Sequence, residues 1–269
     1  MKLLFTDLDG TLLNNNSKVS AYTKAFLDEF LAAGNKLILS SGRPLNSVLE
    51  VKNDAGLTQK GIFLICNNGT LVYDCDNECP ILEKRLPRAY VSYLQEQAKK
   101  YDLHIQTYRD DTIISPADDD EIKYYRRRIH LPLIVSPNLE DALTKDPYKM
   151  LAISLDNFDK LEAFRKSISD WAMNKIQTIY SNDMYLELFD WNAGKGNAVR
   201  FVCDYFDVPL SDAYAAGDAD NDISMIEAAG TGIAMANATD QVKKYADVIT
   251  DLDNDKDGLA DMMKKLLAR

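Results

Sequence analysis

Polar and apolar positions change their period several times along the chain, and each change marks an element. Residues 2–6 form a short apolar run, and 20–33 has helical spacing between Ser20, a ready N-cap, and Gly34, a ready stop. A second apolar run at 36–40 precedes a helical stretch over 44–55 with Pro44 in its first turn, and a third run follows at 61–66. This order predicts parallel strands covered on both faces by helices. The same rhythm returns late in the chain. Helices over 196–205, 222–229 and 258–267 alternate with short buried strands over 213–216, 232–235 and 247–250.

Between these stretches the pattern differs. Helical segments over 88–101 and 157–173 alternate with mixed runs at 104–108, 131–135, 150–155, 176–180 and 185–189. The expectation is an α/β protein: a doubly wound, Rossmann-like parallel sheet built from 1–81 and 188–269, with an α+β insert of 82–187 and a site between the two. Linkers near 79–82 and 184–192 would let the insert hinge, Pro80 and Pro87 stiffening the first, with Gly194 and Gly196 just beyond the second.

Composition narrows the classes. Forty-six per cent apolar residues in 269 supply a core and argue against disorder. No run approaches the roughly 20 apolar residues of a membrane span, and the few after Lys2 are too short for a signal-peptide core, so a cytoplasmic protein is expected. Thirty-one basic and 42 acidic residues give a net charge of −11, which disfavours nucleic acid and membrane as partners. In that field a phosphate site needs a metal ion or concentrated local cations. Cys66, Cys75, Cys79 and Cys203 lack the spacing of a disulfide framework, and with only His104 and His130 beside them no zinc site is expected.

Four segments carry chemistry. Asp7-Leu8-Asp9-Gly10-Thr11 begins where the first strand ends, the edge at which parallel sheets bind ligands. Two carboxylates before a Gly-Thr turn can supply one for attack and one for proton transfer; alternatively, these residues only break the strand. Gly217-Asp218-Ala219-Asp220-Asn221-Asp222 follows another strand, and its three carboxylates repel unless a cation or other partners accompany them. Hard oxygen donors without His or Cys point to Mg2+. Ser40-Ser41-Gly42-Arg43 and Gly194-Lys195-Gly196 add a hydroxyl, free backbone N–H groups and a lysine at a helix start, the groups that phosphate oxygens need.

Taken in order, Asp7-Leu8-Asp9-Gly10-Thr11, Ser41-Gly42-Arg43, Lys195, and Gly217-Asp218 with Asn221-Asp222 resemble the four motifs of the haloacid dehalogenase superfamily. The likeness spans essentially the whole chain and is to the phosphatase branch with a large cap after the second motif, the Cof-type with a class IIB cap. It implies that Asp7 is the nucleophile that becomes an aspartyl-phosphate and that Asp9 is the general acid/base. Ser41, the Gly42 backbone and Lys195 would hold the phosphoryl group. Asp218 would join Asp7 and the Asp9 carbonyl around Mg2+, supported by Asn221 and Asp222. The implied activity is a Mg2+-dependent phosphomonoesterase of small metabolites, sugar phosphates first, with phosphorylated cofactors such as flavin or pyridoxal phosphates as alternatives. The cap would choose the substrate. Asp9 separates the chain from the ion-pumping ATPases, which resemble D-K-T-G-T. A phosphomutase and a non-enzymatic metabolite-binding regulator are the rival readings.

Three further residues have a functional and a plain reading. Arg43 follows the Ser-Gly pair and is taken as a phosphate or substrate contact; Asn68 lies in a hairpin-like turn that the resemblance places near the catalytic cleft, as a lesser substrate contact, and Asn237 follows a late strand, as a lesser phosphate contact. Asp253-Asn254-Asp255-Lys256-Asp257-Gly258 copies the opening of an EF-hand, but Lys264 stands where a bidentate Glu belongs, so it is read as an acidic loop capping the last helix. Acid at 118–121 and base at Arg126, Arg127 and Arg128 complement the dipole of one helix. His104 and His130 are expected to be structural.

Overall fold

In the computed structural model, which describes every residue except Asp111, Arg128 and Arg269, the chain divides into two compact units. One is Met1–Leu82 with Gly194–Arg269; the other is Glu83–Ala193. The expected second boundary at 187/188 moves to 193/194 because the strand Tyr185–Asp190 is bonded into the sheet of the second unit.

The first unit opens with β1 (Leu3–Asp7), α1 (Ala21–Ala32), β2 (Lys36–Ser40), α2 (Leu45–Asp54), β3 (Ile62–Cys66), β4 (Leu71–Asp74) and β5 (Cys79–Glu83). The second unit follows with α3 (Arg88–Lys99), β6 (His104–Arg109), β7 (Thr112–Ser115), α4 (Asp120–Tyr125), β8 (Leu133–Val135), β9 (Lys149–Ile153), α5 (Phe158–Ala172), β10 (Ile176–Asn182) and β11 (Tyr185–Asp190). The chain then returns through α6 (Lys195–Tyr205), β12 (Ala213–Gly217), α7 (Ile223–Ala228), β13 (Thr231–Ala234), α8 (Asp240–Tyr245), β14 (Val248–Ile249) and α9 (Gly258–Leu267).

The sheet of the first unit runs β14-β13-β12-β1-β2-β3-β4-β5, parallel from β14 to β3 and antiparallel where β4 folds back on β3. Strands β1, β3 and β12 are buried throughout, as strands covered on both faces must be. Leu3, Phe5, Ile38 and Ile65 pack with Val199, Val202 and Met225 into one core. Chain order reverses at β1, whose neighbours are β2 and β12, so a crevice opens beyond its carboxyl end. Register pairs Asp7 with Ser40 and Thr6 with Ala216, and the three motif loops therefore leave the sheet side by side.

The sheet of the second unit runs β10-β11-β9-β6-β7-β8, antiparallel except between β7 and β8. Leu94, Leu161, Phe164 and Ile168 of its two long helices pack on Ile105, Met150, Ala152 and Leu188. His104 Nδ1 lies 2.7 Å from Asp119 Oδ2, while the other oxygen, Oδ1, caps α4 by accepting from the Ile122 N–H, so His104 serves the packing of this unit. Arg126 follows α4 as its C-cap, whereas Arg128 lies outside the described residues.

Three expectations need correction. Both segments read as linkers are strands: 79–82 belongs to β5, and 184–192 contains β11. Pro80 is tolerated because β5 is an edge strand, where a missing N–H breaks no ladder. The passages that leave the sheets are instead 84–87 and 191–194. The acidic loop before α9 does not cap that helix with a side chain. Asp257 accepts hydrogen bonds from the Ser20 and Thr23 hydroxyls at the start of α1, and Thr23 Oγ1 lies 2.8 Å away. Asp255 accepts from the Asn15 N–H, and Lys256 pairs with Asp253, so protein groups occupy these carboxylates. Among the described residues no helix is long and apolar enough to cross a membrane.

The Asp257 contact ties the last helix to the first. Asp257→Ala loses two hydroxyl donors and places a Cβ-bearing residue without polar compensation at φ 64°, and should cost about 2 kcal/mol. Urea denaturation checks this, with Asp257→Gly retaining the conformation and losing only the hydrogen bonds.

Candidate active site

Asp7 is the last residue of β1 and is buried, whereas Asp9, two residues on, is exposed. The turn between Asp9 and Thr11 depends on Gly10. Its φ is 81°, and a Cβ there would lie 2.4 Å from Asp218 Oδ2. Thr11 donates its hydroxyl to Asp218 Oδ1 at 2.9 Å, joining the first motif to the fourth.

Lys195 begins α6 with a side chain only 1% exposed. Its Nζ donates to Asp7 Oδ1 and to Asp222 Oδ1, each at 2.6 Å. The other oxygen of Asp222 accepts from the backbone N–H groups of Asp218 and Ala219 at 3.1 Å each. Asp222 is therefore a bracket that closes its own loop around the lysine. Asp220, the third acid of the cluster, is exposed and accepts from the Thr239 hydroxyl at 3.1 Å.

One ammonium against Asp7, Asp218 and Asp222 leaves a formal charge of −2 in a buried place. The physical consequences follow. Burial, then the charge of Asp222, hold the Asp7 carboxyl well above the ordinary range despite Lys195. Burial and Asp222 push Asp218 up to about 6, against the pull of the Thr11 hydrogen bond and of Lys195. Burial pulls the Lys195 ammonium down, but Asp222 and Asp7 more than reverse this and it stays charged. Oxygens of Asp7, Asp218 and Asp222 lie within 4.8 Å of one another. An uncompensated −2 among hard oxygen donors fits a divalent cation such as Mg2+. Lys195 and Thr11 take Oδ1 of Asp7 and Asp218, so Oδ2 of each is the atom suited to it.

Ser41 and Gly42 follow β2, with Ser41 N–H bonded to the Ile65 carbonyl. Beside them the turn of Asn67, Asn68 and Gly69 holds three successive left-handed residues, at φ 50°, 56° and 94°. Asn67 and Asn68 donate their backbone N–H to the carbonyls of Arg43 and Ser41, both at 3.0 Å. Gly69 has no room for a side chain, since a Cβ would fall 2.3 Å from the Gly194 carbonyl oxygen just before Lys195. The buried Asn68 amide lies over Gly42 and accepts from Asn221 Nδ2 at 3.2 Å, while its own Nδ2 has no partner among the described residues. A buried donor left open on a strained turn is suited to a ligand.

The structure thus gathers Asp7, Lys195, Asp218 and Asp222 in one cluster and Ser41, Gly42, Asn68 and Asn221 in an adjoining one. Arg43 and Asp9 pair with each other at 2.8 Å. Asn237, expected as a phosphate contact, donates its Nδ2 to the Gly10 carbonyl at 2.8 Å and accepts at Oδ1 from the Asn254 N–H at 3.1 Å. Both ends brace loops. Nothing in the sequence around Thr11 assigns it a role, and its link to Asp218 crosses 207 residues, a distance no local pattern reveals.

The family model for haloacid dehalogenase-like hydrolases matches residues 4–263. The chain is 27% identical to the 5-amino-6-(5-phospho-D-ribitylamino)uracil phosphatase of Bacillus subtilis over 299 residues, covering 100% of this chain and 99% of that one. A second phosphatase of Bacillus subtilis is 28% identical over 294 residues, covering 99% of this chain and 100% of the other. The solved structure of a haloacid dehalogenase-like hydrolase from Bacteroides thetaiotaomicron matches with a TM-score of 0.87 and 28% identity, over 98% of this chain and 99% of that chain.

Two outcomes are expected from the cluster. Lys195→Met leaves two buried carboxylates without their cation and should cost about 3–5 kcal/mol, read by denaturant unfolding. Asp218 holds its proton more tightly folded than unfolded, so in EDTA its contribution is full below the ordinary carboxylate pKa and is lost as pH rises through about 6. Thermal unfolding in EDTA should therefore fall less steeply with rising pH in Asp218→Asn than in the wild type. Added Mg2+ needs the ionised carboxylate, so its stabilisation should grow across the same interval and be weakened by the substitution.

Proposed function

The chain belongs to the haloacid dehalogenase-like hydrolase family, as a phosphatase of that family, and from this premise we propose a Mg2+-dependent phosphomonoesterase that works through an aspartyl-phosphate on Asp7. One observation carries the proposal: Asp7 ends β1 at the switch point of the sheet, held by a buried lysine that also grips Asp222. An anionic substrate approaching an anionic nucleophile requires such compensation.

Asp7 attacks phosphorus, the bond from phosphorus to the ester oxygen breaks, and Asp9 delivers a proton to the departing alkoxide. Asp9 then takes a proton from water as its oxygen attacks the phosphorus of the acyl phosphate, which frees inorganic phosphate and restores Asp7. Lys195, the Ser41 hydroxyl, the Gly42 N–H and Asn68 Nδ2 donate to the phosphoryl oxygens, with Asn221 holding the Asn68 amide. Mg2+, held by Asp7, Asp218 and the Asp9 carbonyl, would add charge neutralisation at the same oxygens.

The substrates proposed are small phosphorylated metabolites, with phosphates on sugar or polyol chains first. The Bacillus subtilis relative named for a phosphorylated ribitylaminouracil supports that class. The second unit, lacking the four motifs, is assigned the choice of substrate. A net charge of −11 supports a small ester over nucleic acid or membrane as the partner.

Phosphate release from a panel of phosphorylated metabolites is the test. EDTA should silence the enzyme and Mg2+ restore it. Asp7→Asn should retain less than about one per cent of activity with the fold intact, and higher residual turnover removes Asp7 from the nucleophile role. Release without a bisphosphorylated activator separates hydrolysis from a mutase reaction.

A further inference from the structure

Sequence position alone makes Arg43 a phosphate contact, yet its guanidinium is engaged elsewhere. Nε donates to Asp9 Oδ2 at 3.0 Å and Nη2 to Asp9 Oδ1 at 2.8 Å, a fork on both oxygens of one carboxylate. The two partners are unequally anchored. The Arg43 side chain is 21% exposed and that of Asp9 is 56% exposed. Around Arg43 the backbone is fixed: its N–H donates to Ser41 Oγ at 3.2 Å and its carbonyl accepts from the Asn67 N–H at 3.0 Å. Asp9 stands on the turn that Gly10 allows, with its side chain in solvent.

An exposed aspartate is free to sample several rotamers, and only some present its carboxyl to a leaving oxygen. A planar fork on a rigid loop restricts that choice, which a lysine as a point charge would do less well. We propose that Arg43 is a positioning residue for Asp9, and that it serves the reaction by orienting this proton carrier and not by binding the transferring phosphoryl group. The inference rests on the phosphatase reading, in which Asp9 gives a proton to the ester oxygen as its bond to phosphorus breaks and later takes one from water. One arm of the fork opens for each transfer, while the other keeps the carboxylate in reach.

The experiment uses leaving groups. Wild type, Arg43→Gln and Arg43→Lys are compared on an alkyl phosphate, glycerol phosphate, whose leaving oxygen needs a proton, and on p-nitrophenyl phosphate, whose leaving oxygen does not. Loss of Asp9 positioning should lower kcat/KM for the alkyl ester at least about tenfold more than for the aryl ester. Values of KM should stay near those of the wild type, with Arg43→Lys between the other two. On the aryl ester, adding Arg43→Gln to Asp9→Asn should cause no further loss, as two residues acting as one unit require. Circular dichroism and thermal unfolding confirm that each variant is folded. Equal losses on both esters with raised KM, or no loss on either, overturn the inference and leave the phosphatase reading standing. A wild type that hydrolyses no ester in the metabolite panel overturns that reading, and this inference falls with it.

Discussion

The site depends on one electrostatic constraint: a single buried ammonium shared by two carboxylates at the end of β1. Lys195 reaches Asp7 and Asp222 at equal distances of 2.6 Å, and each needs the others. Without the lysine, two carboxylates would sit desolvated beside each other; without them, a lysine 1% exposed would be charged in a dry place. Asp222 gains the rest of its stabilisation from two backbone N–H groups, so the loop after β12 is folded around its own acid. The lysine does not balance the whole cluster. Burial and the charge of Asp222 raise Asp218 to about 6, and the remaining charge makes a divalent cation chemically sensible there.

Close approach of separate loops then follows from small residues and strained turns. Gly10 lets Asp218 lie against the first motif, and Gly69 lets the turn after β3 lie against Gly194, immediately before Lys195. The left-handed conformations of Asn67 and Asn68 are costly for residues bearing a Cβ, though least so for asparagine. Their backbone bonds to Arg43 and Ser41 hold them in place. Rigidity of this kind suits a reaction whose groups must be in position before substrate arrives.

The surroundings of Asp9 are organised differently. Asp7 is buried and shares its lysine, whereas Asp9 is exposed and paired to one arginine. Two carboxylates two residues apart thus occupy different electrostatic surroundings, which suits the separate roles proposed for them. Residues two apart in a strand share a face, so the separation arises because β1 ends at Asp7 and the chain turns directly afterwards, with Leu12 and Leu13 donating back to the Asp7 and Leu8 carbonyls.

Much of this was legible in the residues themselves. The alternating elements, the interruption by an insert and the clustering of motifs at strand ends follow from periodicity and from parallel-sheet topology, which depend on local pattern. Ser20 was read as an N-cap and does accept from the Thr23 N–H, because capping is a contact over three residues. Other features are decided between distant parts of the chain. Whether 185–190 closes one unit or joins another depends on which strand it pairs with, and pairing with β9 and β10 is a tertiary fact. Asp257 leaves its own helix for Ser20 and Thr23, and Asn237 donates to the Gly10 carbonyl across 227 residues. Arg43 spends its fork on Asp9. In each case the residue type announces a polar partner, but a long or flexible polar side chain has several within reach. Only the folded arrangement selects among them, because burial and the charge of neighbours set which partner costs least to leave behind.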